Sequence, residues 1–223
     1  MNKVLVLGAG LVAKPLIDYF LDREAFEVVV SDLVPERARN LSGGRPRSRA
    51  VGLDIQDDFA LASLIGSSDL VVSFVPYGHH PRVARHCLAL NKHLLTASYV
   101  SGEMKALDGE ARARGLVFLN EAGLDPGLDH MEAMRIIDRV RETGGKVVSF
   151  VSYCGGLPAP EANTNPFGYK FSWSPLGVLL ASGNSARFLH HGREVVLPAE
   201  ELFDRPAGIS IERLGEFEGY PNR

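Results

Sequence analysis

Cysteine is scarce in this chain, with two among 223 residues. Cys87 and Cys154 stand far apart, in no CxxC spacing and with no histidine at ligand spacing, which argues against a disulfide framework and against a zinc site. No metal is expected, and both thiols read first as structural. An excess of either charge is also missing. Lys and Arg number 24 against 27 Asp and Glu, for a formal net charge of -3, without the clustered basic excess that nucleic-acid binding requires. Long hydrophobic runs are absent as well. The apolar stretch from Val4 to Val12 is interrupted by Gly8 and Gly10 and followed by Lys14 and Pro15, so neither a signal sequence nor a membrane span is expected. A cytoplasmic location follows by default. No internal repeat or low-complexity segment is visible.

What is present is the alternation of short β-branched runs with helical periodicity from Lys3 to Leu119, the pattern of βαβ units and a parallel sheet. Strands are expected at Val4 to Leu7, Val28 to Ser31, Arg49 to Leu53, Leu70 to Phe74, His93 to Thr96 and Val117 to Leu119. Most are near-continuous apolar runs, which suits a sheet covered by helices on both faces. Between them, Val12, Leu16 and Phe20 share one helical face, as do Val83, Cys87 and Leu90, and each row predicts an amphipathic helix with that side to the core. After Asn120 the punctuation changes. Gly123-Leu-Asp-Pro-Gly127 is a turn cluster, followed by an expected helix over 129–141 and an expected strand over 146–154. The expected organisation is a Rossmann-like, doubly wound α/β domain over 1–122, followed over 123–223 by the beginning of an α+β substrate and dimerisation domain. From Gly155 to Pro175 the chain is rich in Gly, Pro, Asn and Ser yet interleaved with Phe167, Tyr169, Phe171 and Trp173, the composition of an ordered, site-forming loop rather than a disordered linker.

The segment from Val4 to Ala13 carries a GxGxxA fingerprint between a strand and a helix. In that context Gly8 permits the tight turn, Gly10 lets the backbone approach a pyrophosphate, and Ala13 lets the helix pack closely with its amides toward the anion. Asp32, at the end of the second strand, stands where an acidic side chain accepts hydrogen bonds from the ribose hydroxyls and repels a 2′-phosphate. That favours NAD over NADP, although Arg37 and Arg39 lie close in sequence and leave both cofactors open. Val75-Pro-Tyr-Gly-His-His80 follows the fourth strand, at the carboxyl edge where open α/β sheets bind ligands, and should border the nicotinamide. For His79 and His80 singly, a structural role competes evenly with chemistry.

Several further blocks carry a family resemblance. They are Val75-Pro-Tyr77, Thr96-Ala-Ser-Tyr-Val-Ser101, Asn120-Glu-Ala-Gly-Leu-Asp-Pro-Gly-Leu-Asp-His130, Ser152-Tyr-Cys-Gly-Gly-Leu-Pro-Ala-Pro-Glu161 and Asn165-Pro-Phe-Gly-Tyr-Lys-Phe-Ser-Trp-Ser174. With the fingerprint, they make the chain resemble the saccharopine reductases, the glutamate-forming saccharopine dehydrogenase family, through nearly its whole length. The resemblance implies an oxidoreductase that passes hydride between NAD(P)H and the imine of glutamate with 2-aminoadipate semialdehyde, in lysine metabolism. It implies that Gly8, Gly10, Leu11 and Val12 hold the pyrophosphate and that Val75 and Pro76 line the nicotinamide side. It implies that Ser98, Tyr99 and Asp125 touch the amino-acid substrate, that Lys170, Phe171 and Ser172 lie in the block closing over the ligands, and that Arg223 grips a carboxylate, a role suited to a planar bidentate donor. Pairing into a homodimer through the second domain is implied too.

Imine formation needs a group able to shuttle a proton, for which Asp125, Tyr99 and Cys154 are the candidates. Two departures from the family matter. Asp32 falls where NADP-using members carry arginine, and family chains continue for about as many residues again. Two alternatives therefore stay open: a related imine-reducing dehydrogenase of polyamine metabolism, and a truncated, non-catalytic nucleotide-binding protein.

Overall fold

The structure, a computed structural model, describes residues 1–181, 183–204 and 206–221. It divides into two compact units, Met1–Cys154 and Gly155–Arg223.

The first unit is built on a six-stranded parallel sheet. Its strands are β1 (Asn2–Leu7), β2 (Phe26–Asp32), β3 (Ser48–Gly52), β4 (Leu70–Ser73), β5 (His93–Thr96) and β6 (Phe118–Leu119), in the order β3-β2-β1-β4-β5-β6. The helices are α1 (Lys14–Leu21), α2 (Pro35–Ser42), α3 (Asp58–Gly66), α4 (His80–Ala89), α5 (Gly102–Ala106), α6 (Asp108–Ala113) and α7 (Leu128–Glu142). The order reverses between β1 and β4, which opens a crevice at their carboxyl ends, the place where such sheets take nucleotide ligands. This is the Rossmann-like, doubly wound arrangement expected from the sequence.

Alternation along the strands explains why they read as unbroken apolar runs. Leu5 and Leu7 of β1 join a core with Leu61 and Ile65 of α3 and Val83, Ala84 and Cys87 of α4. Val4 and Val6 point the other way, into a second core with Ile17 and Leu21 of α1 and Ala38 of α2. Both faces are therefore dry, and each fully buried Val or Leu side chain contributes about 1.5–3 kcal/mol. Of the two expected helical rows, Val83 and Cys87 are buried, with Leu90 packed beside them.

The row in α1 is displaced by one position. Val12 is 47% exposed, Leu16 and Phe20 are only partly buried, and the buried line is Ala13, Ile17 and Leu21. The cause lies in the fingerprint: its small third residue has to touch the sheet, and the residues one and two turns further on follow it inward.

A second correction concerns 146–154, where no strand forms; the segment has no regular structure. No described strand pairs with it, and β-propensity alone cannot satisfy the backbone groups that a ladder would pair. The boundary expected at residue 123 falls within the first unit, at a bridge between Gly123 and Gly127.

The second unit holds α8 (Pro175–Ala181) and two antiparallel hairpins, β7 (Ala186–His190) with β8 (Arg193–Leu197), and β9 (Ala207–Ile211) with β10 (Gly215–Gly219). The turn of the first hairpin is His191-Gly192, both at positive φ, the geometry that matches strand twist in a two-residue loop. Among the described residues no helix is long and apolar enough to cross a membrane.

Candidate functional site

The glycine turn leaves β1 at the reversal point. Gly8 has φ +99°, and a Cβ there would lie 2.9 Å from the backbone carbon and oxygen of Phe74, so only glycine lets β1 and the end of β4 approach this closely. Gly10 differs. A Cβ built on it meets nothing within 4 Å, which marks the open side of the turn. Leu11 is 67% exposed whereas Ala13 is fully buried. Among the described residues no hydrogen bond ties the amides of Gly10, Leu11 and Val12 to an acceptor, and free amides at the start of a helix suit a diphosphate. The residues present therefore fit a dinucleotide.

Asp32 does something the sequence did not announce. Its Oδ2 accepts the Ala9 amide at 2.8 Å and its Oδ1 accepts the Val34 amide at 2.9 Å. The carboxylate thus clamps the glycine turn to the end of β2. Each oxygen keeps a second lone pair, so the clamp leaves room for a ribose hydroxyl.

At the end of β4, Val75 is partly buried against the core and Pro76 is exposed. The two histidines, equal in sequence, separate here. His79 is half-buried, whereas His80 is 2% exposed and bridges the tips of two strands. Its Nδ1 lies 2.9 Å from Ser73 Oγ, and its Nε2 lies 2.9 Å from Ser98 Oγ and 3.1 Å from Thr96 Oγ1. Ser73 and Thr96 are partners in the β4–β5 register. Hydroxyl residues ending two adjacent strands, with a histidine opening the intervening helix, were the available signal for this network.

Burial, and secondarily the charge of His79, pushes the His80 imidazole down to about 4 from 6.5. The unfolded chain therefore takes up a proton between those values while the folded one does not, so the stability is fully present above pH 6.5 and is lost as pH falls toward 4. At about 1.4 kcal/mol per unit this amounts to roughly 3 kcal/mol. Urea unfolding at pH 7.5 and pH 4.5 should show that loss in the unaltered chain and a much flatter dependence in His80→Phe; parallel curves would refute the assignment.

Past β5, the segment carrying Ser98 and Tyr99 is fastened to the segment after β6. The Glu121 amide donates to Ser98 O at 3.1 Å and the Ala122 amide to Thr96 O at 3.1 Å, while Glu121 Oε1 accepts the Val100 amide at 3.0 Å. Next comes the turn. The Gly123 amide donates to Pro126 O at 3.0 Å and the Leu128 amide to Gly123 O at 3.0 Å. Gly127 is indispensable there, since a Cβ would fall 2.2 Å from Gly123 O. This frame holds Asp125 toward Tyr99, whose hydroxyl donates to Asp125 Oδ1 at 2.6 Å.

Cys154 completes the cluster. Burial, followed by the charge of Asp125, a hydrogen bond to it and the charge of Asp129, raises its thiol above the ordinary value. The three candidates for proton transfer thus stand together. Asp129 and His130 lie alongside, with ligand-type atoms of Asp125, Asp129 and His130 within 4.8 Å of one another. Asp129 Oδ1, however, is engaged by the Gly127 amide at 3.0 Å and His130 Nδ1 at 2.7 Å, which is a helix-start function. Burial pushes Asp129 upward, but these bonds outweigh it and its carboxyl stays low.

The thiols make a direct test. Cys154 is exposed and Cys87 buried, and burial pushes Cys87 up to about 12. Iodoacetamide at pH 8 should modify Cys154 slowly and Cys87 hardly at all. Asp125→Asn should accelerate Cys154 by removing the charge that suppresses its thiolate, and an unchanged or slower rate would break the link.

Lys170, Phe171 and Ser172 belong to the second unit and are exposed. Their loop has local order of its own: Asn165 Nδ2 donates to Tyr169 O at 2.8 Å, the Phe167 amide donates to Asn165 Oδ1 at 3.0 Å, and the rings of Tyr169 and Phe171 meet edge-on at 5.7 Å. Arg223 lies outside the described residues.

Comparison with known proteins gives a consistent picture. Residues 4–119 match the family model of the saccharopine dehydrogenase NADP binding domain, and residues 123–223 match that of the saccharopine dehydrogenase C-terminal domain. Over 223 residues the chain is 41% identical to saccharopine dehydrogenase (NADP(+), L-glutamate-forming) of Schizosaccharomyces pombe, covering 100% of this chain and 50% of that protein. It is 40% identical to the mitochondrial alpha-aminoadipic semialdehyde synthase of Bos taurus, covering 100% of this chain and 24% of the other. The apo structure of the L-Glu-forming saccharopine dehydrogenase from Saccharomyces cerevisiae superposes with a TM-score of 0.88 at 41% identity, over 100% of this chain and 50% of that one. The chain thus spans about half the length of the fungal relatives it matches.

Proposed function

Because the chain belongs to the saccharopine dehydrogenase family, we propose that it serves an oxidoreductase that interconverts saccharopine with glutamate and 2-aminoadipate semialdehyde, using a nicotinamide nucleotide. The observation that carries this reading is the contact of Tyr99 with Asp125, joined by Cys154, in the same unit as the open side of the glycine turn.

Condensation of an amine with an aldehyde releases the carbonyl oxygen as water, so two protons must reach that oxygen and two must leave the amine nitrogen on the way to the neutral imine. The bound nucleotide supplies hydride to the imine carbon in one direction and accepts it in the other. Within the chain, Gly8, Gly10, Leu11, Val12 and Ala13 cradle the diphosphate, and Val75 and Pro76 border the nicotinamide. Ser98, Tyr99 and Asp125 bind the amino-acid substrate. Asp125 exchanges the proton with the substrate, with Tyr99 and Cys154 as its hydrogen-bonding neighbours. Lys170, Phe171, Ser172 and Arg223 are assigned to substrate binding. On this reading 1–122 is the dinucleotide domain and 123–223 contributes to the substrate domain. Pairing of two copies through the latter and a cytoplasmic location belong to the same proposal, checked by solution mass and by cell fractionation.

The relatives' names favour the glutamate-forming reaction over the polyamine alternative. On the cofactor, the matched family model is an NADP-binding domain. We assign to Asp32 a preference for NAD within that family, because a carboxylate at the end of β2 repels a 2′-phosphate. Titration of NADH and NADPH, with turnover of saccharopine and of glutamate plus aldehyde, tests both parts. Tighter NADPH binding removes the Asp32 assignment alone; nucleotide binding without turnover of either pair favours a regulatory protein instead.

A further inference from the structure

Ser98 is the half-buried end of a chain of polar groups whose other members are shut away from solvent, and its direction can be read from what each atom is able to give. Ser73 is fully buried, Thr96 is 1% exposed and His80 2% exposed. Among the described residues His80 is the one side-chain partner of Ser73 Oγ and of Ser98 Oγ, and Thr96 Oγ1 also accepts the Ser98 amide at 3.3 Å.

A neutral imidazole has one N–H and one lone pair. With the proton on Nε2, a single N–H is shared between Ser98 Oγ and Thr96 Oγ1, Ser73 donates its hydroxyl proton to Nδ1, and one buried hydroxyl proton, that of Thr96, lacks an acceptor. With the proton on Nδ1, the Ser73 proton loses its acceptor instead, and two hydroxyls compete for one lone pair at Nε2. Beyond the Ser73 proton, the second arrangement leaves either the Thr96 proton stranded or Ser98 Oγ facing the Nε2 lone pair at 2.9 Å with no proton between them, against the one stranded Thr96 proton of the first, and each such defect is worth about 1–3 kcal/mol when buried. The first arrangement has a directional consequence. A Ser98 oxygen that accepts from Nε2–H has its own proton left for an atom outside the network.

We propose that His80 is a positioning residue that holds the Ser98 hydroxyl as an outward donor to an oxygen of the bound substrate. The inference rests on the reading of Ser98 as a substrate contact, and it adds the chemistry of that contact: an acceptor, such as one of the carboxylates of an amino-dicarboxylate, rather than a donor such as its ammonium. Ser73, remote from solvent, completes the arrangement by feeding Nδ1.

The test uses the full chain with NADH or NADPH bound and saccharopine as the probe. Losing a hydrogen bond to a charged group weakens binding about 10- to 100-fold, so Ser98→Ala and His80→Phe should each weaken saccharopine by that range. The double variant should be no weaker than either, because both remove one interaction. Nucleotide affinity should not change. The long-range ¹H–¹⁵N spectrum of the imidazole should show Nε2 protonated. If His80→Phe does not fold, Ser73→Ala carries the same test: it should weaken saccharopine a few-fold and shift the imidazole toward the other tautomer, with nucleotide affinity intact.

Additive losses, a loss confined to nucleotide affinity, or an Nδ1–H spectrum overturns the role of His80. Absence of saccharopine binding by the unaltered chain overturns the site reading beneath it, so the two failures are told apart.

Discussion

Gly8→Val should lower the thermal midpoint of the chain by about 6–12 °C, whereas Gly10→Val should leave it within about 2 °C, although both should abolish tight binding of NADH and NADPH. The asymmetry comes from the surroundings. At Gly8 the backbone sits at φ +99° and the added carbon would overlap backbone atoms of Phe74 at 2.9 Å. A β-branched residue in that conformation costs on the order of 1–3 kcal/mol before any clash is counted. Phe74 cannot swing aside, since the offending atoms are main chain and its amide is bonded to Leu7 O at 2.7 Å. The strain therefore spreads to β1 and β4, the two central strands. Gly10 has no such neighbour, and its added side chain projects into the space assigned to the diphosphate. Calorimetric titration alongside thermal unfolding separates the effects: a Gly10→Val variant that binds nucleotide normally removes the diphosphate from that turn.

These two glycines illustrate why the nucleotide half was legible in sequence. The central strands β1, β2 and β4 are runs of Val or Leu bounded by turns, and the fingerprint forces a definite geometry at a definite place, so local chemistry and global fold agree. The six strands of the sheet appear within a residue or two of their expected ends. Where the reading failed, a non-local term decided. The face of α1 was set by Ala13 touching the sheet rather than by the bulkiest apolar row. Residues 146–154 have strand-like residues but no partner among the described strands, and pairing is the property that a single segment cannot encode.

The site divides along the same line. Asp125, Tyr99 and Cys154 were singled out separately, by residue type and family resemblance, and no sequence spacing foretold that Tyr99 would donate to Asp125 or that Cys154 would lie close enough to feel that charge. That contact depends on the cross-ties between the end of β5 and residues 121 and 122. His80 was undervalued for a related reason. Its importance is a matter of burial between two strand ends, and burial at a loop-to-helix junction leaves little trace in a sequence.

Asp125→Asn should cost about 10²- to 10⁴-fold in turnover of saccharopine while changing the thermal midpoint by no more than about 2 °C. Asparagine keeps the shape of the side chain and an oxygen able to accept from the Tyr99 hydroxyl, now at 2.6 Å from the carboxylate. The turn itself is held by Gly123, Pro126, Gly127 and Leu128 through main-chain bonds, none of which involves the carboxylate. What the amide cannot do is take up and return a proton, so the loss should fall on kcat rather than on nucleotide affinity, and the limb of the pH–rate profile that reports the essential base should disappear. Tyr99→Phe, which keeps the carboxylate but removes its hydrogen-bond donor, should be milder, because the group that carries the proton is still present. If Asp125→Asn retains full turnover and an unaltered profile in an active enzyme, the carboxylate serves the turn alone, and the proton must be carried by another group such as Cys154.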